Sequence, residues 1–178
     1  MIRCVSAVLA AVALMAIPAL AGAHDYKVGD IEVLHPWTRA TPPGAATAAG
    51  YVEVRNDGTS TDYLIGAEGG GFDRIEIHQM QMQNGVMKMR KISAEGVPIP
   101  PGKTVTLAPN GYHLMLIGPK TQLKVGDKLP VSLRFKSAGT IMVDFLVQGM
   151  GSHGDMPSSN MNHEGMTHEN MPLQGQDR

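Results

Sequence analysis

Histidine and methionine side chains are the strongest candidates for chemistry in this sequence, and one pair of them stands two residues apart. In an extended strand, His113 and Met115 project from the same face about 6.5 to 7 Å apart, while Leu114 and Leu116 point the other way. Both side chains of such a pair can bind the same ion. Imidazole and thioether without a carboxylate form a soft to borderline donor set, which favours Cu(I) over Zn(II), Mg(II) or Ca(II). Taken singly, each of these residues is more often a surface or core residue than a ligand.

More donors of the same two types precede this pair. In the segment 74–80, strand alternation puts His78 and Met80 on one face and the isoleucines on the other. After an Asn-Gly turn, Met87 and Met89 also share a face. The combination of a His-x-Met pair with a methionine-rich hairpin makes a copper site more plausible than any of the residues does alone.

A second group of donors follows the last apolar run. Residues 149–178 are rich in Gly, Ser, Asn, Met and His and contain almost no branched apolar residue, so we expect a flexible tail that is disordered without metal. Its histidines favour Cu(II) and its methionines Cu(I), so it could capture either state. The simpler alternative is a solvated tail without function. The candidate tail ligands are His153, Met156, Met161, His163, Met166, His168 and Met171.

The elements that must position the first group are short strands. Nine runs with alternating or β-branched character are separated by turn sequences, and no helical periodicity is long enough to predict a helix. This pattern predicts an all-β sandwich or barrel of about eight or nine short strands. The predicted strands are 31–34, 49–55, 63–67, 74–80, 86–92, 104–107, 113–117, 129–135 and 140–147.

The first 23 residues are typical of a secretory signal peptide. One basic residue precedes an apolar run and a small-residue stretch that permits cleavage after Ala21 or Ala23. We therefore expect an exported, periplasmic protein with three parts: the signal peptide (1–23), a folded domain (24–148) and the tail (149–178). Cleavage after Ala23 would make His24 the N-terminal residue, whose amine and imidazole could chelate Cu(II). We also expect no membrane span in the processed chain.

Composition excludes several functional classes. The only cysteine, Cys4, lies inside the signal and lacks the small-residue setting that lipoprotein processing requires. Disulfides, thiolate metal sites and the blue-copper ligand set are thereby excluded from the processed chain. After the signal there are 14 Lys and Arg against 16 Asp and Glu, a net charge of −2 with both signs scattered, which does not favour nucleic acid.

Together these segments resemble a known family. His78, ten residues, Met89, a spacer and His113-Leu114-Met115 are similar to the His-x10-Met-x21-His-x-Met signature of the periplasmic copper chaperones called PCu(A)C. The flanking segments 35–44, 73–78, 85–90 and 111–116 are similar too. The spacer from Met89 to His113 has 23 residues here, and we expect the extra two in the loop 96–102. A shifted register would instead let Met87 or Met80 replace Met89.

The resemblance implies a cupredoxin-like fold and a specific ligand set. It assigns Cu(I) to His78, Met89, His113 and Met115 and makes the protein a non-enzymatic chaperone. Family members are associated with copper delivery to the Cu(A) centre of cytochrome c oxidase subunit II, and some carry a copper-binding His/Met extension.

Two other functions remain as alternatives. The first is a periplasmic copper storage or resistance protein without a dedicated recipient. The second is a copper oxidase or dismutase, which the site disfavours because it offers no cluster of acid and base groups.

Overall fold

The computed structural model describes residues 26–151, and all the regular secondary structure in this part is β-strand. Eleven strands and no helix occur there. The strands are β1 (Tyr26–Val28), β2 (Ile31–Arg39), β3 (Thr47–Asn56), β4 (Asp62–Glu68), β5 (Arg74–Gln83), β6 (Val86–Lys91), β7 (Val97–Ile99), β8 (Thr104–Leu107), β9 (Tyr112–Ile117), β10 (Lys128–Phe135) and β11 (Thr140–Gln148). The predicted all-β class is confirmed.

Hydrogen bonds join these strands into one open sheet. Its order is β6-β5-β9-β3-β2-β11-β10-β4-β7, with β1 paired to β2 and β8 paired to β3. Strands β11 and β2 run parallel, and the other pairs are antiparallel. Strand β6 is therefore one edge of this path, and β5 and β9 are its nearest neighbours.

The sheet curves around a single apolar core. Strand alternation determines which side chains enter it: in β11, Val143, Phe145 and Val147 are buried, whereas the residues between them are exposed. Burying side chains of this size contributes about 1.5–3 kcal/mol each. Trp37 is buried as well. Packing against this core therefore fixes the positions of the strands that carry the candidate ligands.

All nine predicted strands are present, and two short ones were missed. One is β1, three residues long, and the other is β7. The segment 96–102 was expected to be a loop that tolerates extra length. This expectation is wrong for its first half, because Val97 and Ile99 in β7 are fully buried and β7 pairs with β4.

The β5–β6 hairpin is the element that carries most of the candidate donors. Asn84 and Gly85 form its turn with φ angles of 52° and 76°, the positive pair that a tight primed turn requires. Strand β5 pairs with β9 only from Arg74 to Gln79, whereas its pairing with β6 continues to Gln83. The tip of the hairpin therefore extends beyond β9 as a two-stranded arm.

No helix within residues 26–151 is long and apolar enough to cross a membrane. The expected signal peptide, His24 and the tail ligands beyond residue 151 lie outside the described residues.

Candidate metal centre

The two histidines of the expected site lie side by side on the sheet. His78 in β5 is directly opposite His113 in β9, so both side chains are on the same face. Their ring centroids are 6.0 Å apart and the ring planes are tilted by 57°. With metal–nitrogen bonds of about 2 Å and a ring radius of about 1.2 Å, two imidazoles on one ion have centroids about 5 to 6.5 Å apart. The observed spacing fits one shared ion.

Glu76 determines which nitrogen of His78 is available. Hydrogen bonds from Lys91 and His78 lower the pKa of Glu76 to about 2, so its carboxylate only accepts hydrogen bonds. Its Oε2 lies 2.9 Å from His78 Nε2, which must therefore donate. The lone pair of a neutral His78 is then on Nδ1. This atom is buried and has no hydrogen-bond partner among the described residues. A shielded lone pair without a partner is suited to a metal ion.

His113 presents its other nitrogen. Its Nδ1 is 3.2 Å from the carbonyl oxygen of Gly111, which only accepts, so the Nδ1 proton points there and Nε2 carries the lone pair. Only 5% of His113 is exposed. Burial lowers the pKa of His113, the hydrogen bond to Gly111 partly opposes this effect, and the electrostatic influence of His78 adds a smaller lowering. His113 is therefore neutral, the form that binds a metal, over a wider acidic range than an ordinary histidine.

The methionines lie on either side of this histidine row. Met115 is the next residue of β9 on the same face and lies opposite Glu76. Met89 in β6 lies opposite Met80, one step from the histidine row toward the hairpin tip. Met80 is thus one strand closer to His113 than Met89 is. The alternative that Met80 replaces Met89 therefore has a geometric basis.

Burial divides the site into two halves. The His113 side chain is buried, and the His78 side chain is only 15% exposed. Met89, by contrast, is 49% exposed. The imidazole half is shielded from water, while the methionine half on the hairpin is accessible to an incoming ion.

Residues 26–151 do not provide the set of ligands that a hard metal ion requires. Within residues 26–151, no three side chains of the His, Cys, Asp or Glu types converge to hold a metal ion. Glu76 is engaged by Arg74, His78 and Lys91 instead. The donors that remain at the site are neutral nitrogen and sulfur, which suit Cu(I) better than Zn(II) or Ca(II).

Sequence reasoning did not identify two features of this face. Alternation puts Glu76 on the same face as His78, but it cannot show the hydrogen bond that orients the ring. Met82 was also missed, although it is two residues from Met80 and strand alternation therefore places both on one face. His35 is exposed at a bulge of β2 with a φ of 47°.

Comparison with known sequences identifies a family and a relative of this chain. A family model described as "Putative lipoprotein LpqE-like" matches residues 31–147. The "Putative lipoprotein Lxx21020" of Leifsonia xyli subsp. xyli is 31% identical over 149 residues, which is 84% of each chain.

Several solved structures that resemble this fold are described as PCuAC domains. The apo PCuAC domain from PmoF1 has 31% identity and a TM-score of 0.60, covering 71% of this chain and 99% of that one. The copper-bound PCuAC domain from PmoF2 has 30% identity and a TM-score of 0.59, covering 71% and 98%. The resemblance inferred from the ligand spacing is confirmed at the level of family and fold.

Proposed function

This chain belongs to the LpqE-like family, and we propose that it is a non-enzymatic copper chaperone that holds one Cu(I) ion with His78, Met89, His113 and Met115. The copper ion is cargo in this proposal and takes part in no reaction. The structural likeness to a copper-bound PCuAC domain supports the choice of metal.

One observation supports the ligand set most strongly. The Nδ1 atom of His78 is buried without a hydrogen-bond partner on the sheet face that it shares with the His113 ring. An unpaired buried polar atom costs about 1–3 kcal/mol, and a bound cation offsets that cost. The unpaired Nδ1 atom supports an ion that accepts lone pairs from both rings.

The donor set supports the choice of Cu(I). Neutral thioethers bind soft ions and hold hard or divalent ions poorly. Two imidazoles alone would also serve Cu(II), so Met89 and Met115 provide the preference for the reduced state.

The contrast between the buried histidines and the exposed Met89 supports transfer of the ion to a partner. A recipient can displace the exposed Met89 first, while the two histidines still hold the ion. We propose the Cu(A) domain of cytochrome c oxidase subunit II as the recipient. The alternative is a storage or resistance protein that keeps its copper. The two differ in whether copper reaches an apo Cu(A) domain faster than it dissociates into solution.

The terminal segments extend this proposal. We propose that residues 1–23 direct export to the periplasm, consistent with the lipoprotein descriptions of the relatives. In this proposal, residues 24–148 are the copper domain and 149–178 a second, looser binding segment. The proposed tail ligands are His153, Met156, Met161, His163, Met166, His168 and Met171, and His24 is a further Cu(II) donor if cleavage follows Ala23.

The test is Cu(I) stoichiometry by competition with a chromophoric chelator. A chain ending at Gly151 retains every strand and core residue described above. It should bind one tight Cu(I), and the same chain with His113→Ala and Met115→Ala should lose that ion. A matched control carries Met142→Ala, an exposed methionine on β11, and should bind normally. Tight Cu(I) binding that disappears with the tail would refute the domain site and favour a scavenging tail.

A further inference from the structure

The arm of the β5–β6 hairpin carries four methionines on one face. Met80 lies opposite Met89, and Met82 lies opposite Met87, so the four side chains form two adjacent cross-strand pairs. We call these four residues the methionine ladder. The ladder continues the face that holds His78 and His113, one and two steps closer to the hairpin tip.

The ladder has no packing role in the described fold. Met82 is 61% exposed, Met87 39% and Met89 49%, and none of the four belongs to the apolar core. Strand β9 begins at Tyr112 beside the base of the arm, where the Met80 N–H donates to the carbonyl oxygen of the preceding residue, Gly111. Beyond that point, no described strand extends the sheet on the β9 side. The usual role of methionine as a core gap filler therefore does not apply to this ladder.

The opposite face of the arm is different. It carries Gln79, Gln81, Gln83, Lys88 and Arg90, with Val86 as its one apolar residue. The arm thus alternates like a strand with one buried face, yet the apolar face is open and consists of methionine alone. A surface selected only for apolar contact would not need sulfur at all four positions.

We propose that the methionine ladder is a second Cu(I) site, made of thioethers only, that receives copper at the hairpin tip and leads it toward the histidines. This inference rests on the proposed function, since it assumes that the protein handles Cu(I). Met82 and Met87 are its outer ligands and Met80 its inner one. Met89 borders both sites.

Strand geometry allows the ladder to hold one ion. Cross-strand Cβ atoms are about 4.5–5.5 Å apart, and same-face neighbours along a strand are about 6.5–7 Å apart. Methionine has three rotatable bonds beyond Cα, so three sulfurs from adjacent rungs can converge on one position between them. Without imidazole, such a site is softer than the histidine site and discriminates more strongly against divalent ions. Copper should therefore occupy the histidine site first.

The test follows each methionine by NMR in the full-length processed chain. Methyl-labelled methionine is titrated with Cu(I) under reducing conditions, and resonances are assigned by single Met→Leu substitutions. The first Cu(I) should shift the ring signals of His113, and later additions should shift the methyl signals of Met82 and Met87. The double variant Met82→Leu, Met87→Leu should bind one Cu(I) fewer, whereas Met142→Leu should bind as the unsubstituted chain does.

Leucine keeps the apolar area and removes only the thioether, so the variants separate copper binding from protein docking. If His113 responds while Met82 and Met87 do not, the ladder proposal is overturned and the patch is left as an apolar contact surface. If His113 also fails to respond, the proposed function fails independently of the ladder. Equal Cu(I) capacity of the double variant and the unsubstituted chain would likewise refute the second site.

Discussion

His78 and His113 face each other across strands β5 and β9 with their ring centroids 6.0 Å apart, although 35 positions separate them in the sequence. Each ring has one nitrogen engaged by an acceptor of its own, the Glu76 carboxylate for His78 and the Gly111 carbonyl for His113. The free lone pairs are therefore Nδ1 of His78 and Nε2 of His113. The proposal therefore names the two nitrogen atoms that would bind Cu(I).

Removing the Glu76 carboxylate should weaken copper binding. Glu76→Gln leaves an amide that can either donate or accept, so His78 is no longer held in one tautomer and orientation. Loss of such an orienting partner typically lowers metal affinity about 10–100-fold. Chelator competition measures the change. Glu68→Gln, which removes an exposed ion pair with Arg134, is the matched control and should leave the affinity unchanged. An unaltered affinity in Glu76→Gln would mean that this hydrogen bond does not prepare the site.

The His113 ring should resist protonation in mild acid. Burial holds the pKa of His113 below its ordinary value of 6.5, so protons compete with copper for this ring only at lower pH. The ring should remain neutral as the pH falls through 6.5 and become protonated only below its lowered pKa. An NMR titration of the copper-free His113 ring gives that midpoint. A midpoint at or above 6.5 would show that the ring is more hydrated than its burial indicates.

The identity of the hairpin ligand can be resolved by two single substitutions. Met89 is assigned by the family spacing, whereas Met80 lies one strand closer to His113. We expect Met89→Leu to lower the Cu(I) affinity of the histidine site more than Met80→Leu does. Both variants keep the apolar area, so folding should be unaffected. The reverse order would assign the ligand to Met80.

Asp62 should stabilise the fold at neutral pH and lose that effect in acid. Burial favours its neutral form, but backbone N–H groups of Ser137, Tyr63 and Ala138 donate to the carboxylate, and the net result is a lowered pKa. Its stabilisation is therefore complete above the ordinary value of 3.8 and is lost as the pH falls through the lowered pKa.

Asp62→Asn tests this assignment by urea unfolding. At pH 7 we expect the free energy of unfolding to fall by about 2 kcal/mol, the value typical of hydrogen bonds to a charged group. The difference from the unsubstituted chain should shrink as the pH falls below 3.8. Asp144→Asn, at an exposed position, should change stability by less than about 0.5 kcal/mol. If the difference in free energy of unfolding did not change with pH, Asp62 would stabilise the fold through packing and not through its charge.

Strand alternation in the sequence predicted the faces of the site correctly. It placed His113 and Met115 together and directed Leu114 to the core, because a strand repeats every two residues. It could not provide the β5–β9 pairing, since register between distant strands depends on the whole fold. The orientation of the His78 ring and the burial of His113 depend on neighbours that no local pattern specifies. Strand β7 was missed because a run of three residues around Pro98 has too little pattern to read.

The most direct test of the central claim is ¹⁵N NMR of the histidine ring nitrogens in the processed full-length chain, before and after one equivalent of Cu(I). We expect the large shifts at Nδ1 of His78 and Nε2 of His113, with the other nitrogen of each ring still protonated. Shifts confined to histidines of the tail, with both of these rings unchanged, would contradict the account.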